Sequence, residues 1–131
     1  METLAAPTQS AEPQADPLEE FRLEREQMRD MQTAQLNDII YGENTDDETR
    51  ALAQRTLLSL LAWSEQETTI EGVLRARGFA QAVATVHEDS ANVLVETSAL
   101  SQEDANAILE LVTRETGLLG GNIKIIPLNS P

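Results

Sequence analysis

An α+β fold is predicted for this chain, on three observations. Residues 70–128 read, in order, as helix end, glycine, strand, turn, strand, capped helix, glycine-rich turn and strand. Helical spacing and two-residue alternation take turns along that run. At 131 residues with 3% aromatics, the chain can build a two-layer aliphatic core but not a three-layer one. The expected topology is a three-stranded sheet with helices on one face, preceded by an extra amino-terminal helix.

The segment from Met1 to Pro17 is expected to be a disordered or extended tether. Pro7, Pro13 and Pro17 interrupt small and polar residues there, and such a stretch buries too little to offset its ordering entropy. The first helix is expected from about Leu18 to Ile40. Phe21, Met28, Leu36 and Ile39 form a narrow apolar stripe with Leu18 and Met31 at its edges. The opposite face is dense in charge, and Arg22 and Glu26 have the i, i+4 spacing of a helical ion pair. Two readings stay open: a solvated helix leaning on the core, or a helix that offers its stripe or its arginines to a partner.

Gly42 ends this helix. Thr45, with Glu48 three residues on, has the spacing of a capping box, so the second helix is expected from about Asp46 towards Arg77, with Gly78 as its stop. Leu52, Ala53, Leu57, Leu60 and Leu61 share one face; Trp63, Ile70 and Leu74 lie on a rotated one. The polar run from Ser64 to Thr69 between them predicts a bend or break. Gly72 is read as a point of close packing, because a mid-helix glycine costs about 1 kcal/mol against alanine.

Two strands are expected at Phe79–His87 and Asn92–Ser98, joined by a turn over Glu88–Ala91. The first is ambiguous: Phe79 and Val83 share one face, but Ala82, Ala84 and Val86 share the other. In the second, Val93, Val95 and Thr97 face one way and Leu94 and Glu96 the other. Ser101, with Asp104 as capping partner, opens the third helix. Its Ala105, Ile108, Leu109 and Val112 form the clearest amphipathic pattern in the chain. Arg114 suits the helix end and Gly117 stops it. Asn122–Leu128 is the third strand, parallel to the second after a helical crossover. It pairs either with the first strand or with the second; the residues do not choose.

This arrangement suggests association surfaces. If the helices cover Val93, Val95, Ile123 and Ile125, then Leu94, Ile126 and Leu128 look outward, and three strands leave two open edges. The partner-interface candidates are therefore Arg22, Arg25 and Arg29 on the first helix, with Leu94, Ile126 and Leu128 on the sheet.

Chemistry is poorly provided for, and no catalytic, cofactor or metal site is assigned. There is one histidine and no cysteine, which removes thiol catalysis, disulfides and thiolate metal sites together. His87 stands beside Glu88 and Asp89, but neighbouring strand residues point to opposite faces and do not converge on a metal. No G-x-S-x-G elbow is present for a serine nucleophile. The net charge of −14 repels phosphate backbones and anionic lipid alike. The alternative class is a KH-like nucleic-acid-binding domain, suggested by the GxxG spacing of Gly117-Leu118-Leu119-Gly120. That loop leads into a strand and carries no basic residue. No stretch approaches the roughly 20 apolar residues of a membrane helix, and Met1–Ala15 lacks the pattern of a signal peptide.

A family resemblance adds to this reading. Phe21-Arg22-Leu23-Glu24-Arg25-Glu26-Gln27-Met28-Arg29 resembles the start of the soluble region of the stage III sporulation protein AH family. So does Ile70-Glu71-Gly72-Val73-Leu74-Arg75-Ala76-Arg77-Gly78-Phe79, running into Ala82-Val83. The strand Val93-Leu94-Val95, the Leu100-Ser101 helix entry and the closing Asn122-Ile123-Lys124-Ile125-Ile126-Pro127 are similar too. The resemblance covers roughly Leu18 to Pro127. It implies a ring-building-motif-like αββαβ domain, similar to inner-ring proteins of type III secretion and flagellar basal bodies. The expected division is a tether at 1–17, a helix and linker at 18–44, and the α+β domain at 45–131.

The resemblance further implies a sporulation protein anchored in the mother-cell membrane, its soluble domain in the intermembrane space facing the forespore. Its implied partner is stage II sporulation protein Q, with a homo-oligomeric ring as the implied assembly, and no cofactor or catalytic residue. The amino-terminal membrane helix of the family is absent from this sequence. Membrane association is expected only through such an anchor.

Overall fold

The computed structural model describes residues 16–129. Most of the expected tether lies outside the described residues. The element order is α1 (Pro17–Ile40), α2 (Asp47–Ala76), β1 (Ala82–Val86), β2 (Ala91–Glu96), α3 (Gln102–Thr116), a 3-10 turn (Gly120–Asn122) and β3 (Ile123–Leu128).

Local chemistry sets these boundaries. Asp16 caps α1, its carboxylate accepting from the Leu18 N–H at 3.0 Å. Pro17 occupies the first turn, where its missing N–H costs no helical bond. Asp46, not Thr45, caps α2 and accepts from the Thr49 N–H at 2.7 Å. The cap moves by one residue because either Asp or Thr can supply the acceptor oxygen. Helix α2 closes with Gly78 at φ 110°. The Phe79 N–H bonds the Leu74 carbonyl and the Gly78 N–H bonds the Arg75 carbonyl, a Schellman ending that a Cβ would strain. Ser101 caps α3 through the Asp104 N–H, and Gly117 ends it in the left-handed region.

The Asp46 carboxyl is a stronger acid in the folded chain than an ordinary aspartate. The Thr49 backbone N–H, then the Thr49 hydroxyl, hold its carboxyl below the ordinary 3.8. A lowered folded-state value means the cap's contribution is present above pH 3.8 and is lost as pH falls through the folded value. Replacing Asp46 by Ala should therefore lower stability at neutral pH. The difference between the two proteins should shrink on acidification below about pH 3.8, as read by urea titrations at stepped pH.

Helix α2 runs without interruption from Asp47 to Ala76, so the break expected over Ser64–Thr69 does not occur. The polar run suggested a solvated interruption. Instead, Glu67 within it is buried at 2% exposure and bonded into the domain interior. The rotated second stripe marks a change of packing partner along a continuous helix. Gly72 also departs from expectation: an added Cβ there would meet no atom within 4 Å. Gly72→Ala is expected to stabilise the domain by about 0.5–1 kcal/mol, as a rise in urea midpoint.

The sheet order is β1-β2-β3, with β1 antiparallel and β3 parallel to β2. This settles the open choice: the third strand pairs with the second, and the sheet is mixed. Helices α2 and α3 cover one face. The main core there joins Ile70 and Leu74 of α2, Ala82, Ala84 and Val86 of β1, Val93 and Val95 of β2, and Ile108, Leu111 and Val112 of α3, with Ile123. Among these, Leu111 was absent from the expected stripe of α3. Each fully buried Val, Leu or Ile side chain contributes about 1.5–3 kcal/mol. Val83 and Leu94 face the other way and are covered by Leu18 of α1, with Leu128 beside them.

The inward face of α1 differs from the one its apolar stripe predicted. Leu18 and Ile40 are buried, but Phe21, Met28, Met31 and Ile39 are exposed. What α1 turns towards the domain between its ends is arginine. In the upper half of α2, Ala53 and Leu60 are buried, whereas Leu52 and Leu61, expected on the same face, are exposed. The loop between the helices is held by Arg50, whose guanidinium donates to the Ile40, Gly42 and Thr45 carbonyls.

Candidate interaction surfaces

Every second residue of an edge strand turns its N–H and C=O outward. In β1, the His87 N–H bonds the Ser90 carbonyl and the Glu96 N–H bonds the Gln81 carbonyl, so odd-numbered residues face β2. Ala82, Ala84 and Val86 therefore point their main-chain groups away from the sheet. Helices α1 and α2 meet them with side chains. Arg22 donates to the Ala82 carbonyl at 3.3 Å, Arg25 donates to the Ala84 carbonyl, and Arg29 donates to the Val86 carbonyl at 2.9 Å. Glu71 accepts from the Ala84 N–H at 2.8 Å, and Glu67 accepts from the Val86 N–H at 2.7 Å.

The same side chains pair with one another. Arg29 grips Glu67 with two hydrogen bonds, at 3.2 and 2.9 Å. Arg25 bonds Glu71 at 2.6 Å, and its Nε lies 3.7 Å from Glu67. Arg29 also sits over the Trp63 ring, 5.8 Å from its centroid. The side chains of Arg25 and Arg29 are only 12% and 11% exposed. Arg22 is more open; it pairs with Glu19 at 2.6 Å rather than with Glu26 as the spacing suggested.

Helix geometry explains the fit. Residues 25 and 29 are four apart on α1, as are 67 and 71 on α2, a rise of about 6 Å. Two strand residues rise about 6.6 Å. One helical turn therefore keeps step with one outward-facing residue of β1. Arg22, Arg25 and Arg29, expected as contacts for an acidic partner, are committed to the chain's own strand. Of the two edges expected to be open, β1 is closed. No sequence rule flags Glu67 and Glu71 alone; the usable signal is five charges at helical spacing facing an uncharged strand.

The outer sheet face remains. A groove of about 370 Å³ runs between α1 and this face, lined by Phe21, Glu24, Arg25 and Met28 on one side and by Thr85, Asn92, Leu94, Lys124 and Ile126 on the other. Of the three sheet candidates, Leu94 is buried at 4%, Leu128 is half-covered beside Leu18, and Ile126 is open at 37%. The structure thus splits the trio because Leu18 shields one end of the face. Phe21 and Met28 belong to this groove, the placement expected if the helix offers its stripe outward and not to the core. Edge strand β3 borders it and carries Lys124, the only lysine in the chain.

The remaining candidates for chemistry stay dispersed. Among the described residues no group of three or more His, Cys, Asp or Glu side chains converges as a metal site. His87 is exposed at the hairpin turn. Gly117–Gly120 joins α3 to the short turn before β3. No helix among the described residues is long and apolar enough to cross a membrane.

Comparison with known proteins places this architecture. The family model described as SpoIIIAH-like protein matches residues 2–125. Stage III sporulation protein AH of Bacillus subtilis (strain 168) is 24% identical over 95 residues, which are 72% of this chain and 44% of that protein. The chain thus spans less than half the length of this curated relative. A chain in the solved SpoIIQ–SpoIIIAH pore-forming complex superposes with a TM-score of 0.76 at 22% identity, over 88% of this chain and 98% of that one. That likeness shows a shared fold, three helices on a three-stranded sheet. With the family model covering nearly the whole chain, the protein belongs to the SpoIIIAH-like protein family.

Proposed function

We propose that this chain is a structural component of the sporulation channel between mother cell and forespore. It acts by association with stage II sporulation protein Q, with neighbouring subunits, or with both. The observation that carries this reading is an open groove on the outer sheet face, bordered by edge strand β3, in a fold shared with a chain of the SpoIIQ–SpoIIIAH complex. Ile126, Phe21 and Met28 supply exposed apolar area there, and Lys124 and Glu24 supply charge. An interface of this kind needs an apolar centre and a polar rim.

The reading is non-enzymatic. It puts the domain in the intermembrane space, held to the mother-cell membrane by an anchor preceding the tether. In this division residues 18–44 are a helix and linker that help seal the β1 edge, and residues 45–131 the ring-building unit. Rings form where head-to-tail contacts close.

Mixing the chain with the partner's soluble domain tests the proposal. Co-elution at about 10–50 μM, weakened by Ile126→Asp, is expected for a micromolar complex. Independent elution at those concentrations contradicts it.

A further inference from the structure

We propose that the facing side chains of α1 and α2 together serve as a stand-in fourth strand, closing the β1 edge against pairing with a second copy of this chain. This goes beyond the choice of outside partner and holds whichever protein occupies the outer groove.

The two edges of the sheet differ in what protects them. Strand β3 carries its own protection: Pro127 removes an amide donor and Lys124 places a charge on the strand, both standard obstacles to edge pairing. Strand β1 has neither. From Phe79 to Val86 the sequence is Phe-Ala-Gln-Ala-Val-Ala-Thr-Val, with no charge, proline or glycine. Such a segment, left as a bare edge, is a template for a further strand. Its own copy suits it, since an antiparallel pair with two-fold symmetry is self-complementary.

The ladder occupies the atoms such a copy would need. The Ala84 and Val86 amides are taken by Glu71 and Glu67, and the Ala82, Ala84 and Val86 carbonyls by Arg22, Arg25 and Arg29. Stability alone does not call for this chemistry, because buried ion pairs often do no better than apolar residues of similar volume. Apolar residues, however, would leave the outward amides and carbonyls of β1 without partners. Carboxylates and guanidiniums supply acceptors and donors in alternation, as a strand does.

A single introduced cysteine tests this cleanly, because the chain has none. Pairing Ala84 of one copy with Val86 of the other puts Thr85 opposite its counterpart, about 4.5 Å apart at Cα and within disulfide reach. Two full-length proteins are compared: Thr85→Cys alone, and Thr85→Cys with Arg25→Leu, Glu71→Leu, Arg29→Leu and Glu67→Leu together. The first should stay monomeric at this site under oxidation. The second, folded by circular dichroism, should form at least about ten times more disulfide-linked dimer. Equal cross-linking in the two proteins overturns the proposal. Hydrogen exchange on the unmodified chain guards against a variant that does not fold. The Ala84 and Val86 amides should exchange at least about a hundredfold more slowly than the outward Ile125 amide of β3; similar rates would overturn the proposal independently.

Discussion

Replacing Arg29 by alanine is expected to destabilise the domain by about 3–5 kcal/mol, a large part of the stability of a domain this size. The effect is large because Glu67 is left behind. Its side chain is 3% exposed and sits between α1, α2 and β1. In the native protein it holds two guanidinium bonds from Arg29 and the Val86 N–H. Without Arg29, its charge is buried with only the more distant Arg25 Nε at 3.7 Å. The Val86 carbonyl also loses its donor, and Trp63 loses the cation above its ring. Urea unfolding should show a lower midpoint with an unchanged slope, the sign of lost stability in an intact fold. Replacing Arg29 and Glu67 together by leucine should recover part of the loss, since no lone charge then remains. Surface pair Arg50–Asp47, by contrast, has a fully exposed carboxylate, and its breakage should register little.

The second large effect is expected in the main core. Ile70→Ala should cost about 2–5 kcal/mol, through lost burial and an unfilled cavity. Ile70 is fully buried and packs in the cluster that joins α2 to β1, β2 and α3. Collapse around the cavity is limited because β1 is fixed from its other edge by the arginine–carboxylate ladder. The matched control is Leu58→Ala on the same helix. Leu58 is 65% exposed, and its truncation should stay within about 0.5 kcal/mol. The loss at Ile70 should appear in thermal and chemical unfolding alike.

What the residues disclosed in advance, and what they did not, divides along physical lines. Caps and stops at Ser101, Gly78 and Gly117 were legible because each depends on local backbone chemistry. The inward stripe of α3 was legible because its partner is apolar. Helix α1 was legible as a helix but not in orientation, since its spacing fits a stripe turned inward or outward alike. Apolar periodicity assumes that the buried face is apolar, but α1 packs against a strand edge whose demand is for hydrogen bonds. Arginines face inward there, and Phe21 and Met28 turn towards the outer groove. The break expected in α2 failed for the same reason: Glu67 looked like a solvated residue and is a buried acceptor. Strand order was undetermined because pairing β3 with either neighbour satisfies the alternation of Ile123 and Ile125. The candidate surface was half legible. Ile126 is open as expected, whereas Leu94 and Leu128 are shielded by Leu18, a long-range contact that spacing along the chain does not encode.

In the proposed function one small sheet divides its labour: β1 is held from within, and the outer face and β3 would receive a neighbouring protein. The direct test is amide hydrogen exchange of the full chain with and without the soluble domain of stage II sporulation protein Q. Added protection is predicted on β3 around Lys124 and Ile126 and on α1 around Phe21 and Met28, with Ala84 and Val86 already protected beforehand and unchanged. New protection centred on the β1 edge, or none anywhere at saturating partner, would contradict it.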